Sequence, residues 1–462
     1  MEIFRSSVLF VLMALTASAQ DKYPVDWAKT NPEFYGYFAK LIGFDTTNPP
    51  GNETPLAEYL KSVLEANGIP ANIYALEPKR GNVVARLKGN GSKRPILLMG
   101  HLDTVGLQRD KWLTDPFIAT RKDGYIYGRG ANDDRDNLAS SLMTMILLKR
   151  SGVKLDRDVI FVAEAGEESS PQFGIEFLIA QHWPEIEAEY AIAEGGYVGL
   201  VNGKHPFVLV STTEKVPRAL RLVAHGTAGH GSLPKDDNPV LRIAGAIARF
   251  RTWQPPVRFS DTTRAFFERL AAISDPAARE RFNHPGDAAS QDYFLKNQSE
   301  FFSISRTSVV PTIINAGFKN NVIPSDAEAL LDCRLLPDED LQKFIVTIKQ
   351  VIDDPAIEVL PPPPGGRPFG TPSPLDSDLF LAMERTTKRL FPGAVTLPGM
   401  FTAASDLAQL RAKGVKSYGI GPISEKGGVG EAHIDNERVL EEGLYKLLQY
   451  HWFTVLDVAA SK

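Results

Sequence analysis

The residues of this chain best suited to chemistry are histidines and carboxylates that close off apolar runs. GRGANDDRDN (128–137) follows a glycine-arginine-glycine turn with Asp133, Asp134 and Asp136 inside four positions. One reading makes all three solvated loop charges, because loops are generally polar and exposed. MGHLDTVG sets His101 and Asp103 two apart after the apolar ILLM, so an extended chain points both the same way. Such a pair suits a metal-bound imidazole with a carboxylate steadying it, and equally a core histidine beside a capping aspartate. AEAGEESS brings Glu164, Glu167 and Glu168 to the end of another run. Adjacent carboxylates can divide the work of holding a metal and moving a proton, although acids also favour the first turn of a solvated helix. Glu194 in AIAEGG ends a third run, and His433 lies in GEAHIDNE near the C-terminus. There is no nucleophile elbow and no phosphate loop. As a set, two histidines and several carboxylates suit two divalent metals about 3.5–4 Å apart, zinc foremost, bridged by a carboxylate and water.

Alternating strands and helices surround these residues. FYGYFAKLIGF and LAEYLKSVLEANG have helical spacing, the second stopped by Asn-Gly. ANIYAL, NVVARL, RPILLMG and RDVIFVAEAG are short apolar runs bounded by turn residues, which read as buried strands. Between the last two, DNLASSLMTMILLKRSG is a helix ended by Gly152. The alternation predicts an α/β sheet with polar groups at its strand ends. From Val216 the order becomes strand (RALRLVAHGT), helix (NPVLRIAGAIARF), two strands (TIINAGF, EALLDCRLL), helix (DEDLQKFIVTIKQVID) and strand (IEVLPP). That is the split unit of a ferredoxin-like domain. A charged, aromatic stretch at 257–307 interrupts it, and PPPPGGRPFGTP at 361–372 reads as a linker back to the first domain. The expected organisation is a discontinuous catalytic domain over 20–215 and 363–462, with a second domain inserted at 216–362.

With 43% hydrophobic and 23% charged residues in 462, the chain is globular and long enough for more than one domain. A formal charge of -5 gives no electrostatic footprint for nucleic acid. MEIFRSSVLFVLMALTASAQ combines an early arginine, a short apolar run and Ala-Ser-Ala, the pattern of a signal peptide over residues 1–19. It predicts a secreted or periplasmic protein free of the membrane once cleaved; an uncleaved anchor is the other reading. Cys333 is the only cysteine, so no intramolecular disulfide forms. Within ALLDCRLL it reads as a buried small hydrophobe.

HLDTV, YGRGANDDRDN, AGEES, GTAGHGSLP, NNVIPSDAEALLDCRLLP and HIDNERV stand in the order and rough spacing of the co-catalytic zinc aminoacylase and carboxypeptidase family. That family takes in glutamate carboxypeptidase, acetylornithine and succinyl-diaminopimelate deacylases, dipeptidases and secreted N-acyl amino acid hydrolases. The resemblance implies a zinc-exopeptidase-like catalytic domain with a mixed sheet and a ferredoxin-like lid through which a homodimer forms. It implies two Zn2+, with Co2+ or Mn2+ as substitutes. His101 and Glu194 would hold one metal, Glu168 and His433 the other, and Asp133 would bridge them, followed by a cis peptide bond. Glu167 resembles the general base, Asp103 the residue steadying it, and His230 an oxyanion donor. Asn321 and Arg334 resemble holders of a substrate α-carboxylate, and Gly421 and Pro422 the lining of the pocket. Asp136 stands where the family carries something smaller, and Ala193 where the secreted hydrolases often carry aspartate. The implied reaction is hydrolysis of an amide in a small peptide, carboxypeptidase or dipeptidase fashion. The alternatives are deacylation of an N-acyl amino acid, and a catalytically silent binding protein.

Overall fold

The computed structural model describes residues 22–201, 203–362, 365–425 and 431–461; the expected signal segment lies outside them. Its central element is a mixed sheet of nine strands among the described residues. Across it run Ala71–Ala75, Gly81–Leu87, Val159–Glu164, Ile96–His101, Tyr190–Ala193, Lys416–Gly419, His205–Glu214 and Val395–Phe401, with Tyr197–Val201 paired beside His205–Glu214. Val159–Glu164, Ile96–His101, Tyr190–Ala193 and Lys416–Gly419 are parallel neighbours, so their carboxyl ends share one edge. Antiparallel pairs flank them.

Val159–Glu164, Ile96–His101 and Tyr190–Ala193 are apolar up to their carboxyl ends because both faces are covered. Ile96 and Leu98 pack with Phe34, Phe38 and the helix Arg135–Arg150 on one side; Leu97 and Met99 pack with Ile175, Leu178 and Leu410 on the other. Phe161 and Ile160 alternate in the same way. Helix Trp27–Ile42 begins on Asp26, whose carboxylate accepts from the Lys29 amide, and buries Phe34, Phe38, Leu41 and Ile42 along one face. The C-terminal helix Glu441–Ala459 is buried on nearly all sides.

A second, four-stranded sheet has the order Ser308–Ala316, Asp326–Leu335, Val216–His225, Ile357–Leu360, all antiparallel. In chain order that is second, third, first, fourth, as the ferredoxin-like reading requires. Along Asp326–Leu335 every second side chain, Cys333 included, faces the helices Pro239–Arg249 and Leu341–Ile352. Lys215 alone separates His205–Glu214 of the first sheet from Val216–His225 of the second.

The insertion folds into short helices, Asp261–Ala272, Pro276–Asn283, Ala288–Asn297 and Ser299–Ile304. Its Phe266, Phe267, Phe282 and Phe294 share a core with Leu209, Leu397 and Met400 of the nine-stranded sheet. The buried Lys215 ammonium donates to the Ser303 and Arg306 carbonyls at 2.9 and 2.6 Å, fastening the end of the insertion to the crossing between sheets.

Candidate metal centre

The carboxyl edge of the parallel strands assembles the residues singled out by type. His101 is the last residue of Ile96–His101 and is paired in register with Glu164 of Val159–Glu164. Asp103 follows in a turn held by Arg135, which donates to the Leu102 carbonyl and the Thr46 hydroxyl, both at 2.6 Å. Gly100 lets the helix Arg135–Arg150 come close: a Cβ there would lie 2.8 Å from the Asp134 carboxylate. Gly166, at φ +84, turns the chain so that the Glu167 and Glu168 amides both donate to Asp103 at 3.1 Å. Asn48 donates to the same carboxylate at 2.8 Å. Burial pushes the Asp103 carboxyl up, but its bonds with His101 and Asn48 win and its pKa is lowered.

Two ligand groups meet on Asp133. One oxygen lies 2.9 Å from His101 Nε2, the other 3.0 Å from His433 Nε2, and His433 is 3.1 Å from Glu168. His101, Asp133 and Glu194 bring one ligand atom each within 4.8 Å of one another, and so do Asp133, Glu168 and His433. His101 is buried with Nδ1 on the Asp103 carbonyl at 3.1 Å, while His433 is half exposed and adopts φ +59, a conformation a histidine seldom takes. The peptide bond from Asp133 to Asp134 is cis.

Each group offers one imidazole and two carboxylates, a donor set suited to zinc and its neighbours in the first transition row. Burial and Asp133 push Glu168 up to about 7, and burial with Asp133 and Glu167 pushes Glu194 well up. Burial pulls His101 down, but Asp103 and Asp133 more than reverse it; bonds to Asp133 and Glu168 raise His433 to about 10. Such crowding of acids is what divalent cations relieve, and Glu168 Oε1 is buried with no hydrogen-bond partner. The residues fit a metal pair.

Residues 97–456 match the model of peptidase family M20/M25/M40. The chain belongs to that family. It is 26% identical over 380 residues to the N-fatty-acyl-amino acid synthase/hydrolase PM20D1 of Xenopus tropicalis, covering 77% of this chain and 71% of that one. Among solved structures it resembles the M20 family metallo-carboxypeptidase Sso-CP2 of Sulfolobus solfataricus, at TM-score 0.68 and 20% identity over 94% of this chain and 99% of the other. It also resembles the Bacillus subtilis YXEP protein, a dinuclear metal binding peptidase from the same family, at TM-score 0.59 and 16% identity over 93% and 98%. The M20 fold is thus one that holds two metals, and its members are metallopeptidases and amidohydrolases.

In this M20 chain His230, Asn321 and Arg334 belong to the second unit, whereas Gly421 and Pro422 adjoin the strand end that carries Glu194. His230 lies on a two-stranded ribbon of the second unit, paired with Val322, and Asn321 stands just before that second strand, where the Gly231 amide donates to the Asn321 carbonyl at 2.8 Å. Both are exposed, and His230 Nδ1 is 2.8 Å from the Ser232 hydroxyl. Arg334 is bidentate to Asp332 on its own strand, at 2.9 and 3.1 Å. Pro422 is buried and its carbonyl accepts from the Val198 amide at 2.9 Å; Gly421 packs against the Gly196 carbonyl.

Two expectations need correction. Asp136 is not a solvated charge: it is 1% exposed, because Arg135–Arg150 runs through the core from its first turn. Burial and Asp134 raise its pKa well above the usual range, and one of its oxygens has no partner. Asp134 is more than a geometric neighbour, since its carboxylate accepts from the His101 amide at 3.2 Å and from Asn137 at 3.1 Å. Glu164 is at the end of its strand as expected, buried and outside both ligand groups.

Two supporting residues were given no role by the sequence, although Glu437 stands within the HIDNERV motif. Glu437, buried, accepts from the amides of Gly130, Asn132 and Asp133 at 2.9, 2.8 and 3.1 Å and from Arg129 at 2.8 Å, so it shapes the loop presenting Asp133. Arg367, from the expected linker, pairs with the carboxylate of Glu167.

Proposed function

We propose that this M20 protein is an exported di-zinc hydrolase that cleaves the amide bond of a small substrate bearing a free α-carboxylate. The observation that carries the reading is the pair of ligand groups sharing Asp133, with Glu167 on the same turn as the ligand Glu168. When bound, two zinc ions would polarise the amide carbonyl and acidify a shared water. Glu167 then takes the proton of the attacking water and returns it to the departing nitrogen. Asp103 holds the Glu167 and Glu168 backbone and the His101 ring in register for that transfer. His230 would donate to the developing oxyanion, and Asn321 and Arg334 would grip the α-carboxylate. Their placement on the second unit requires that unit to act as a lid which closes onto the ligand groups, with Arg334 exchanging Asp332 for substrate.

A carboxypeptidase or dipeptidase is the first form of this reading. Similarity to a relative named as an N-fatty-acyl-amino acid hydrolase supports the second, an N-acyl amino acid deacylase. Export rests on the composition of residues 1–19; among the described residues no helix is long and apolar enough to cross a membrane. Val310, Ile313 and Ile314 are exposed on the edge strand Ser308–Ala316, which supports a homodimer through the second unit. The test is purified mature protein with zinc, offered dipeptides against N-acetyl and long-chain N-acyl amino acids. Dipeptide cleavage supports the first form and acyl release the second; no cleavage with zinc bound would leave the silent-fold reading standing.

A further inference from the structure

The segment that returns from the second unit delivers a guanidinium to the proposed base. After Gly365 and Gly366, both at positive φ, Arg367 turns inward and is only 14% exposed. Its Nη2 donates to the Glu167 carboxylate and, at 3.2 Å, to the Glu167 carbonyl oxygen. Its Nη1 donates to Asp406 at 2.8 Å. The Arg367 carbonyl accepts from Arg218 Nη2 at 2.9 Å, so the arginine is fixed at its backbone as well as its head.

Glu167 has a long side chain with several rotamers, and Asp103 fixes only its backbone. A general base must stand within hydrogen-bond reach of the proton it removes, and an error of about 1 Å can cost about 10²-fold in rate. Arg367 makes the one side-chain contact that orients this carboxylate among the described residues. Asp406 is 2% exposed and holds the other nitrogen of the guanidinium, so the arginine head is anchored independently of Glu167.

We propose that Arg367 is the positioning residue of the general base, a fork that aims the Glu167 carboxylate while anchored on Asp406. This rests on the hydrolase reading above. With the substrate cut fastest in the panel, Arg367→Ala should lower kcat by about 10- to 100-fold and leave KM within about threefold. Arg367→Lys should recover part of kcat, and guanidinium ion added to Arg367→Ala should recover more, which a merely structural defect would not allow. Zinc titration should still find two ions, and a crystal structure of the zinc-loaded variant should show the Glu167 carboxylate displaced. A raised KM with kcat intact would overturn the proposal and make Arg367 a substrate anchor; unchanged kinetics or an unmoved Glu167 would also overturn it. If Arg367→Ala does not fold, Arg367→Gln carries the same test. Should the wild type cleave nothing, the hydrolase reading fails on its own, and the two zinc-loaded structures still decide whether Arg367 sets Glu167.

Discussion

The two units built on the larger sheets hold their functional residues in opposite ways. In the nine-stranded sheet the ligand-bearing strands are buried on both faces, and each turn at their ends is cross-braced: Asp103 by two amides and Asn48, the Asp133 loop by Glu437, the His101 turn by Arg135. The four-stranded sheet packs helices on one face, and in the same unit His230 stands exposed on a separate ribbon only two residues long, with the exposed Asn321 just before its second strand. The contrast follows from the tasks proposed for them. Two metals and a base work only within a fraction of an ångström of the right geometry, whereas substrate must enter before anything closes on it.

That division can be broken experimentally, most severely at the base. Glu167→Ala should lower turnover by about 10³-fold or more with bound zinc unchanged. Loss of most of the zinc instead would move Glu167 among the ligands. In the other unit, His230→Ala should cost about 10²-fold in kcat, and Arg334→Ala should raise KM about tenfold with kcat nearly intact. If Arg334→Ala lowered kcat as far as Glu167→Ala does, its assignment to substrate capture would fall.

The smallest effect concerns the crossing itself. Burial lowers the Lys215 ammonium from 10.5 to about 7. Between those values the unfolded chain binds the proton that the folded chain has released, so this group's contribution to stability is complete above 10.5 and is lost as pH falls through about 7. Urea midpoints of the wild type should therefore rise between pH 7 and pH 9.5 by more than those of Lys215→Met, with kcat unaltered. A change in kcat would show that the crossing tunes the site.

What could be read without a structure was whatever local sequence encodes. Apolar runs that stop on a polar residue marked His101, Glu167, Glu168 and Glu194, and the apolar stretch ALLDCRLL foretold the buried Cys333. The role of Glu437, though it stands within HIDNERV, was unreadable because its partners lie some 300 positions away, Arg129 being separated from it by 308. Arg367 was hidden by its surroundings: proline and glycine announce a bend but not where the next side chain lands. Asp136 was misjudged for a related reason, since three acids in a row suggest water until the helix behind them proves buried on every side. The C-terminal helix went unread because LLQYHWFTVLDVAA is apolar all round and shows no face to count.

The helical insertion changes how the second sheet can travel. Residues 257–307 leave that unit and return to it, yet their phenylalanines are seated on the first sheet beside Leu397 and Met400. The chain therefore joins the two sheets not only at Lys215 and at the segment bearing Arg367 but also through both roots of the insertion. A body tethered at one peptide swivels freely; one stayed by an outrigger on a separate footing keeps only the rotations that flex all its guys together. The lid closure proposed above would accordingly be a narrow, guided stroke.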